Sequence, residues 1–234
     1  ISNMHIKIEF TSITGAGSGI GREVCRILAR QGAKVIATDW NLKNAEDTIT
    51  SIMYSRRFKN AISKYSTAPT IIVNSAGITR GQFILKLTSE DFAKVLDVNL
   101  KGTFYIIQTA VKEIINANIS TGGSIVNISS IIGKTGNKGQ ANYAASKAGV
   151  IALTQTASLE FGQFGIRVNT VLPGFIETLM TETIPDNVKQ LFIKKIPLHR
   201  MGKPEEVAEV IAFLTSSKSS YVNGASIEVT GGMH

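Results

Sequence analysis

Three residues near the middle of the chain have the types and the spacing of a proton-transfer site. Tyr143 and Lys147 are four positions apart, so on a helix both side chains project from the same face. An ammonium group beside a phenol favours the phenolate, and we expect Lys147 to lower the pKa of Tyr143 from its ordinary value of about 10. Ser130 stands thirteen positions before Tyr143 and can hydrogen-bond the same substrate oxygen. Together they predict a site that reduces a carbonyl group or oxidises an alcohol.

Such a reaction needs a hydride carrier, and the N-terminal part of the chain has the pattern of a binding site for one. The glycine-rich segment TGAGSGIG at 14–21 lies between an apolar run and an amphipathic segment. Backbone N–H groups of such a turn, with the N-terminus of the next helix, bind a pyrophosphate. A second predicted strand ends at Asp39, where a carboxylate accepts hydrogen bonds from adenosine ribose hydroxyls. The glycines alone are weak evidence, but with Asp39 they predict a dinucleotide site.

Short apolar runs alternate with helical patterns along the chain. This alternation predicts an α/β fold with a single-domain, Rossmann-like, doubly wound parallel sheet and helices on both faces. The predicted strands are 7–14, 34–38, 70–73, 124–129, 167–172 and 226–229. The predicted helices are 20–30, 42–52, 56–65, 89–117, 143–161 and 204–215. No linker or repeat interrupts the pattern, so we expect residues 1–234 to form one domain.

Composition narrows the classes of partner. The net charge of +8 favours anionic ligands such as a dinucleotide, coenzyme A or an acidic carrier protein. The basic residues are scattered, so nucleic acid binding is not expected, and no apolar run has the length of a membrane span. The single cysteine, Cys25, excludes an internal disulfide, and His5, His199 and His234 lack metal-ligand spacing. We therefore expect no metal.

The motifs resemble the short-chain dehydrogenase/reductase family over nearly the whole chain. The matching segments are TGAGSGIG at 14–21, NSAG at 74–77, VNLKG around Asn99, Ser130, YAASK at 143–147 and PGFIET at 173–178. Within the family, the sequence is most similar to 3-oxoacyl-(acyl-carrier-protein) reductases. It also resembles the estradiol 17-beta-dehydrogenase type 8 group, whose animal members are the alpha subunit of a mitochondrial 3-oxoacyl reductase.

The resemblance implies a role for each residue of the site. Tyr143 transfers the proton and Ser130 steadies the substrate oxygen, with Ser129 as the alternative serine. Lys147 tunes Tyr143 and holds the nicotinamide ribose, while Asn99 bends a helix and binds a water that extends the proton relay. The implied cofactor-binding residues are Gly15, Gly17, Ser18, Gly19, Ile20, Gly21, Asp39, Trp40, Asn74, Ala76, Gly77, Tyr143, Lys147, Pro173, Gly174, Ile176 and Thr178.

The expected activity is NAD-dependent interconversion of (3R)-hydroxyacyl and 3-oxoacyl thioesters of coenzyme A or acyl carrier protein. Asp39 would repel the 2′-phosphate of NADP, so we expect NAD(H) to be preferred over NADP(H), unless Lys43 or Arg22 offsets that charge. Two alternatives stay open: a 17-beta-hydroxysteroid dehydrogenase, and a subunit that scaffolds a catalytic paralogue. Bacterial carrier-protein reductases dock their carrier through two arginines, and Thr121 and Phe164 stand at those positions here.

Three further expectations concern the lid, the assembly and the chain itself. The segment 177–200 is predicted to be a mobile lid over the substrate, with a plain surface excursion as the alternative. The helices 89–117 and 143–161 carry apolar residues on more than one face, which indicates association with other chains. The resemblance implies either a homotetramer or a mixed tetramer with a related reductase. It also implies location in the mitochondrial matrix, with the cytoplasm as the alternative. The family has another strand between Asp39 and Asn74, so a segment of about 15 residues is expected to be missing near 52–55.

Overall fold

A parallel sheet forms the centre of the molecule. The computed structural model describes residues 10–53, 68–117 and 122–234. The strands are β1 (Phe10–Thr14), β2 (Lys34–Thr38), β3 (Ile71–Asn74), β4 (Gly123–Ile128), β5 (Ile166–Pro173) and β6 (Ser226–Val229). Their order in the sheet is β2-β1-β3-β4-β5-β6, and every neighbouring pair is parallel.

Helices join the strands. The described α-helices are α1 (Gly19–Arg30), α2 (Leu42–Met53), α3 (Ser89–Leu96), α4 (Gly102–Asn116), α5 (Ile132–Thr135), α6 (Ala141–Phe161), α7 (Leu179–Glu182), α8 (Asp186–Ile193) and α9 (Pro204–Thr215). α9 begins with a proline at its first turn, where the missing N–H is not needed. A π-helical turn, Asp97–Lys101, lies between α3 and α4.

Two apolar cores cover the two faces of the sheet. One contains Leu28 of α1 and Ile211 of α9 packed on β1, β3, β4 and β5, and the other contains Ile107 of α4 and Ala157 of α6 packed on the opposite face. Strands buried on both faces need continuous apolar sequence, and all four residues of β3 are buried. The doubly wound α/β fold predicted from the sequence is therefore confirmed.

The strand order also locates the ligand cleft. The chain runs from β1 outward to β2 and then returns to place β3 on the other side of β1. In open parallel sheets a crevice opens at such a reversal, beyond the carboxyl ends of the two central strands. Thr14 and Asn74 end these strands and are neighbours in register. The glycine-rich turn and the NSAG segment consequently meet at one edge.

Most predicted boundaries agree with the structure to within a few residues, with one clear exception. The helix predicted over 89–117 is interrupted by the π-helical turn at Asp97–Lys101. The helix predicted over 56–65, the first residues of the strand predicted over 7–14, and most of the expected break near 52–55 lie outside the described residues. In the described sheet, β2 is an edge strand.

The described residues lack two kinds of feature. No helix among them has the length and apolar character needed to cross a membrane. Within the same ranges, no cluster of three or more histidine, cysteine, aspartate or glutamate side chains is placed to hold a metal ion.

Candidate active site

The end of β4 and the first turns of α6 bring together the predicted catalytic residues. Lys147 is 4% exposed, and its Nζ donates to the backbone carbonyl of Ile128 at 2.7 Å. The same Nζ lies 5.6 Å from the centroid of the Tyr143 ring. Ser130 follows β4, and its hydroxyl interacts with the Tyr143 side chain. One phenol, one hydroxyl and one buried ammonium thus share a small volume.

The pKa values of this pair differ from the sequence expectation. Burial raises the pKa of Tyr143 above its ordinary value, and the hydrogen bond from Ser130 only partly opposes that effect. Burial lowers the pKa of Lys147 to about 8. The expected lowering is therefore wrong for this structure: burial raises the pKa of Tyr143, and Lys147 is not among the groups that shift it. Near neutral pH both groups hold their protons, which prepares Tyr143 to act as a proton donor.

Asn99 lies in the π-helical turn and is 1% exposed. Its Oδ1 accepts from the Ile78 N–H at 2.8 Å, and its Nδ2 donates to the Ile78 carbonyl at 3.0 Å and to Ser146 Oγ at 3.1 Å. A Cβ atom placed on Gly77 would lie 3.4 Å from Asn99 Oδ1 and 3.4 Å from Lys147 Nζ. The missing side chain of Gly77 therefore leaves a polar gap between asparagine and lysine.

The two neighbouring serines have different surroundings. Ser129 is 2% exposed, and its hydroxyl donates to the backbone carbonyl of Lys147 at 2.8 Å. Ser130 instead accepts from the Ile132 N–H at 3.2 Å and reaches Tyr143. Ser130 therefore stays the serine that is predicted to contact substrate.

The glycine-rich turn is shaped by contacts that a side chain would block. Gly15 has a φ of +64°, and a Cβ atom there would lie 2.8 Å from Ala76 Cα. Gly19 has a φ of +48°, in the left-handed region that glycine adopts without strain. Ser18 is the N-cap of α1 but its side chain makes no capping bond, and no acidic residue stands in the first turn. The N-terminus of α1 is thus open toward an anion, which fits a pyrophosphate.

Asp39 directly follows β2 and contacts this turn. Its Oδ2 accepts from the Gly17 N–H at 2.9 Å, and its Oδ1 accepts from the Asn41 N–H at 2.9 Å. A guanidinium N–H of Arg22 donates to the Gly17 carbonyl, and Arg22 Nε donates to Thr48 Oγ1 at 3.1 Å. The carboxylate is therefore fixed at the N–H of Gly17 and the guanidinium at its carbonyl. Trp40, the neighbour of Asp39, is 96% exposed and has its indole at the surface.

The NSAG segment is tied to the end of β1. Thr14 Oγ1 accepts from the N–H groups of Ser75 and Ala76, both at 3.2 Å. The Asn74 side chain turns into the protein, where its Nδ2 donates to Asn127 Oδ1 at 2.8 Å. The Asn74 amide is therefore held inside the protein, where its Oδ1 has no hydrogen-bond partner among the described residues. The sequence analysis includes Thr14 in the glycine-rich segment but assigns no role to its side chain, although its position at the end of β1 was a usable signal.

The segment after β5 closes the other side of the cleft. Pro173 ends β5, and a Cβ atom on Gly174 would lie 2.8 Å from Thr230 Cα. Thr178 is the N-cap of α7, and its Cγ2 would lie 3.2 Å from a Cβ atom on Gly19. This contact brings the PGFIET segment against the glycine-rich turn. A cleft of about 560 Å³ opens between α1, α7 and the start of α9.

The predicted lid contains α7 and α8, and both of its ends are fixed. The Glu177 N–H donates to the Gly202 carbonyl at 2.9 Å, and the Gly202 N–H donates to the Phe175 carbonyl at 3.0 Å. Ile176, which is 5% exposed, packs in the core beside this bridge. Between the fixed ends, Leu179 is 63% exposed. This apolar surface suits a segment that covers a ligand.

Comparison with known proteins identifies the family. A family model described as enoyl-(acyl carrier protein) reductase matches residues 54–234, and one described as short chain dehydrogenase matches residues 9–65. The chain belongs to the short-chain dehydrogenase/reductase family. It is an oxidoreductase that acts on CH–OH groups, and its fold binds a nicotinamide cofactor.

Similar proteins have narrower names. A (3R)-3-hydroxyacyl-CoA dehydrogenase of Mus musculus is 45% identical over 259 aligned positions, which cover 99% of this chain and 98% of that protein. A 3-oxoacyl-[acyl-carrier-protein] reductase of Thermotoga maritima is 41% identical, covering 98% and 99%. A structure of a putative 2-deoxy-D-gluconate 3-dehydrogenase from Agrobacterium tumefaciens with bound NADP has a TM-score of 0.91 at 30% identity, covering 100% and 99%. The mouse alignment is longer than the 234 residues of this chain, so that relative has residues without a counterpart here.

Proposed function

We propose that this protein is an NAD-dependent oxidoreductase that interconverts (3R)-hydroxyacyl and 3-oxoacyl thioesters in fatty acid metabolism. The observation that carries the proposal is the Ser130–Tyr143–Lys147 cluster, which lies in a chain that aligns over nearly its full length with (3R)-3-hydroxyacyl-CoA dehydrogenases. Two groups of relatives, the (3R)-3-hydroxyacyl-CoA dehydrogenases and the 3-oxoacyl-[acyl-carrier-protein] reductases, have names that specify acyl thioesters, and this supports the acyl substrate.

Each residue of the site has a separate role in the proposed reaction. The glycine-rich turn and Asp39 would hold a nicotinamide cofactor, which when bound would supply the hydride for reduction and accept it in oxidation at carbon 3 of the acyl chain. Tyr143 gives its proton to the carbonyl oxygen during reduction, while the Ser130 hydroxyl donates a hydrogen bond that fixes that oxygen. Lys147 stabilises the phenolate that results, because its ammonium is buried nearby. Asn99 and the gap at Gly77 provide a route by which the proton is replaced.

The preference for NAD(H) rests on Asp39. Both of its oxygens are held by backbone N–H groups, so the carboxylate is fixed where a 2′-phosphate would approach. Arg22 is engaged with Gly17 and Thr48, which limits its use as a phosphate ligand. The Agrobacterium protein holds NADP, so the family fold does not by itself decide the cofactor. We expect NADH to bind at least about tenfold more tightly than NADPH, a difference of ~1.4 kcal/mol, measured by fluorescence titration.

A coenzyme A thioester is the favoured substrate. Phe164 is 45% exposed at a position where carrier-protein reductases use an arginine, which weakens direct docking of an acidic carrier. Thr121, at the other such position, lies outside the described residues. The test compares kcat/KM for acetoacetyl-coenzyme A, crotonyl-coenzyme A and estradiol. A preference for acetoacetyl-coenzyme A supports the proposal; a preference for estradiol favours the steroid alternative, and one for crotonyl-coenzyme A indicates enoyl reduction.

We also propose a tetramer, either of this chain alone or mixed with a related reductase. Among the apolar residues of the two helices, Ile107, Val111, Val150 and Ala157 are buried in the core of the single chain, so they cannot serve as the interface. Other residues of the same two helices support the proposal: Phe104 is 40% exposed, Tyr105 52% and Leu159 84%. Light scattering of the purified chain tests it, and the mass of one chain would refute it.

Two further points complete the proposal. We place the protein in the mitochondrial matrix, with the cytoplasm as the alternative, and fractionation of source cells tests that placement.

The scaffold alternative predicts no turnover by the isolated chain and activity only with a partner. Turnover of acetoacetyl-coenzyme A by the purified chain alone would exclude it.

A further inference from the structure

Three consecutive residues at the end of β4 each form a hydrogen bond with a residue of α6. The Asn127 amide donates to Thr154 Oγ1 at 2.9 Å, and the Ile128 carbonyl accepts from Lys147 Nζ at 2.7 Å. The Ser129 hydroxyl donates to the backbone carbonyl of Lys147 at 2.8 Å. Two of these contacts bind the same lysine, one at its backbone and one at the tip of its side chain.

Holding a residue at both ends fixes the path of its side chain. Lysine has four rotatable bonds, and ordering it costs conformational entropy. The Ser129 bond sets where this turn of α6 lies along β4, and the Ile128 bond then sets where Nζ lies. Since Tyr143 is on the preceding turn, a shift of the helix along the strand would also change its distance from Ser130.

We infer that Ser129 is a positioning residue, whose hydroxyl anchors Lys147 and thereby sets the geometry between Lys147, Tyr143 and Ser130. The inference rests on the proposed function, because Lys147 serves the same proton transfer. Ser129 itself touches no reacting atom. It is buried behind the lysine, and its hydroxyl is used by the helix backbone.

The alternative hypothesis is that Ser129 only helps to attach α6 to the sheet, and it predicts a different result. The Asn127–Thr154 bond joins the same strand and helix, is equally buried, and lies two turns beyond Lys147. If α6 only needs attachment to the sheet, loss of either bond should have the same consequence. If Ser129 positions Lys147, its loss alone should change the chemistry. Thr154→Val is therefore the matched control for Ser129→Ala.

The experiment measures reduction of acetoacetyl-coenzyme A by the full chain with NADH. Ser129→Ala is expected to lower kcat about tenfold while the KM values change less than about twofold, since geometry rather than binding is lost. Thr154→Val is expected to lower the melting temperature but to keep kcat for the folded protein. Ser129→Thr, which keeps the hydroxyl, is expected to recover most of the lost kcat.

The pH dependence of the reduction rate separates the two roles, because a purely structural role of Ser129 would leave it unchanged. Tyr143 is the titratable side chain that faces Lys147 among the described residues, and burial is what lowers the lysine pKa to about 8. A lysine released from its anchor becomes better solvated, so its pKa rises and the alkaline fall in reduction rate moves to higher pH in Ser129→Ala.

Two results would overturn the inference. One is wild-type kcat in Ser129→Ala. The other is a loss that Thr154→Val reproduces with an unmoved pH profile. A wild-type chain without turnover would instead refute the proposed function, so the two failures are distinguishable.

Discussion

The gap beside Gly77 offers a direct perturbation of the proton route. In Gly77→Ala, the new methyl group would lie 3.4 Å from both Asn99 Oδ1 and Lys147 Nζ. Those distances are ordinary van der Waals contacts, and Gly77 does not have a positive φ. We therefore expect the fold to tolerate alanine, with a change in unfolding free energy of less than about 1 kcal/mol.

The effect on chemistry should be larger. A methyl group between the two polar atoms excludes a bridging water and further desolvates the ammonium. General acid–base catalysis contributes about 10²- to 10⁴-fold, and the variant keeps Tyr143, so a loss of about tenfold in kcat is expected, or ~1.4 kcal/mol. Stopped-flow measurement of NADH oxidation, with NADH affinity titrated separately, gives the value. Gly102→Ala is the control, since its Cβ atom would meet only Asp97 O at 3.6 Å. Wild-type kcat in Gly77→Ala would refute a route through this gap.

Two further predictions concern charge. Asp39→Asn removes the charge that repels a 2′-phosphate, and should reduce the preference for NADH over NADPH by about tenfold in paired fluorescence titrations; an unchanged ratio would remove Asp39 as its cause. Because burial lowers the pKa of Lys147 to about 8, the ammonium is present below that pH and lost above it. The rate of carbonyl reduction should accordingly fall as pH rises through about 8, and a flat profile from about pH 7 to about pH 9 would contradict this assignment.

The sheet, the glycine-rich turn and the Tyr143–Lys147 pair could be predicted because each depends on local pattern. Apolar runs of four to eight residues indicate buried strands, and a spacing of four places side chains on one helix face. The π-helical turn at Asp97–Lys101 could not be predicted in this way. Asn99 is held there by Ile78 and by Ser146, residues that are distant in sequence, so the interruption depends on tertiary contacts.

Two other differences between the sequence expectations and the structure also depend on tertiary packing. The pKa of Tyr143 depends on how deeply the ring is buried, and spacing along the chain carries no information on depth. Apolar residues on α4 recur at the helical period whether they face the sheet or a partner. Ile107 and Val111 proved to be core, whereas Phe104 and Tyr105 are exposed, and only the packed structure separates the two groups.

Tyr143→Phe tests the central claim most directly. Phenylalanine keeps the ring and its packing but removes the hydroxyl that passes the proton to the substrate oxygen in the proposed mechanism. The measurement is single-turnover reduction of acetoacetyl-coenzyme A by the purified chain, with NADH binding titrated in the same preparation. The account predicts that NADH affinity stays within about twofold while the rate of the chemical step falls by at least about a hundredfold. A Tyr143→Phe variant that reduces the thioester at nearly the wild-type rate would contradict it.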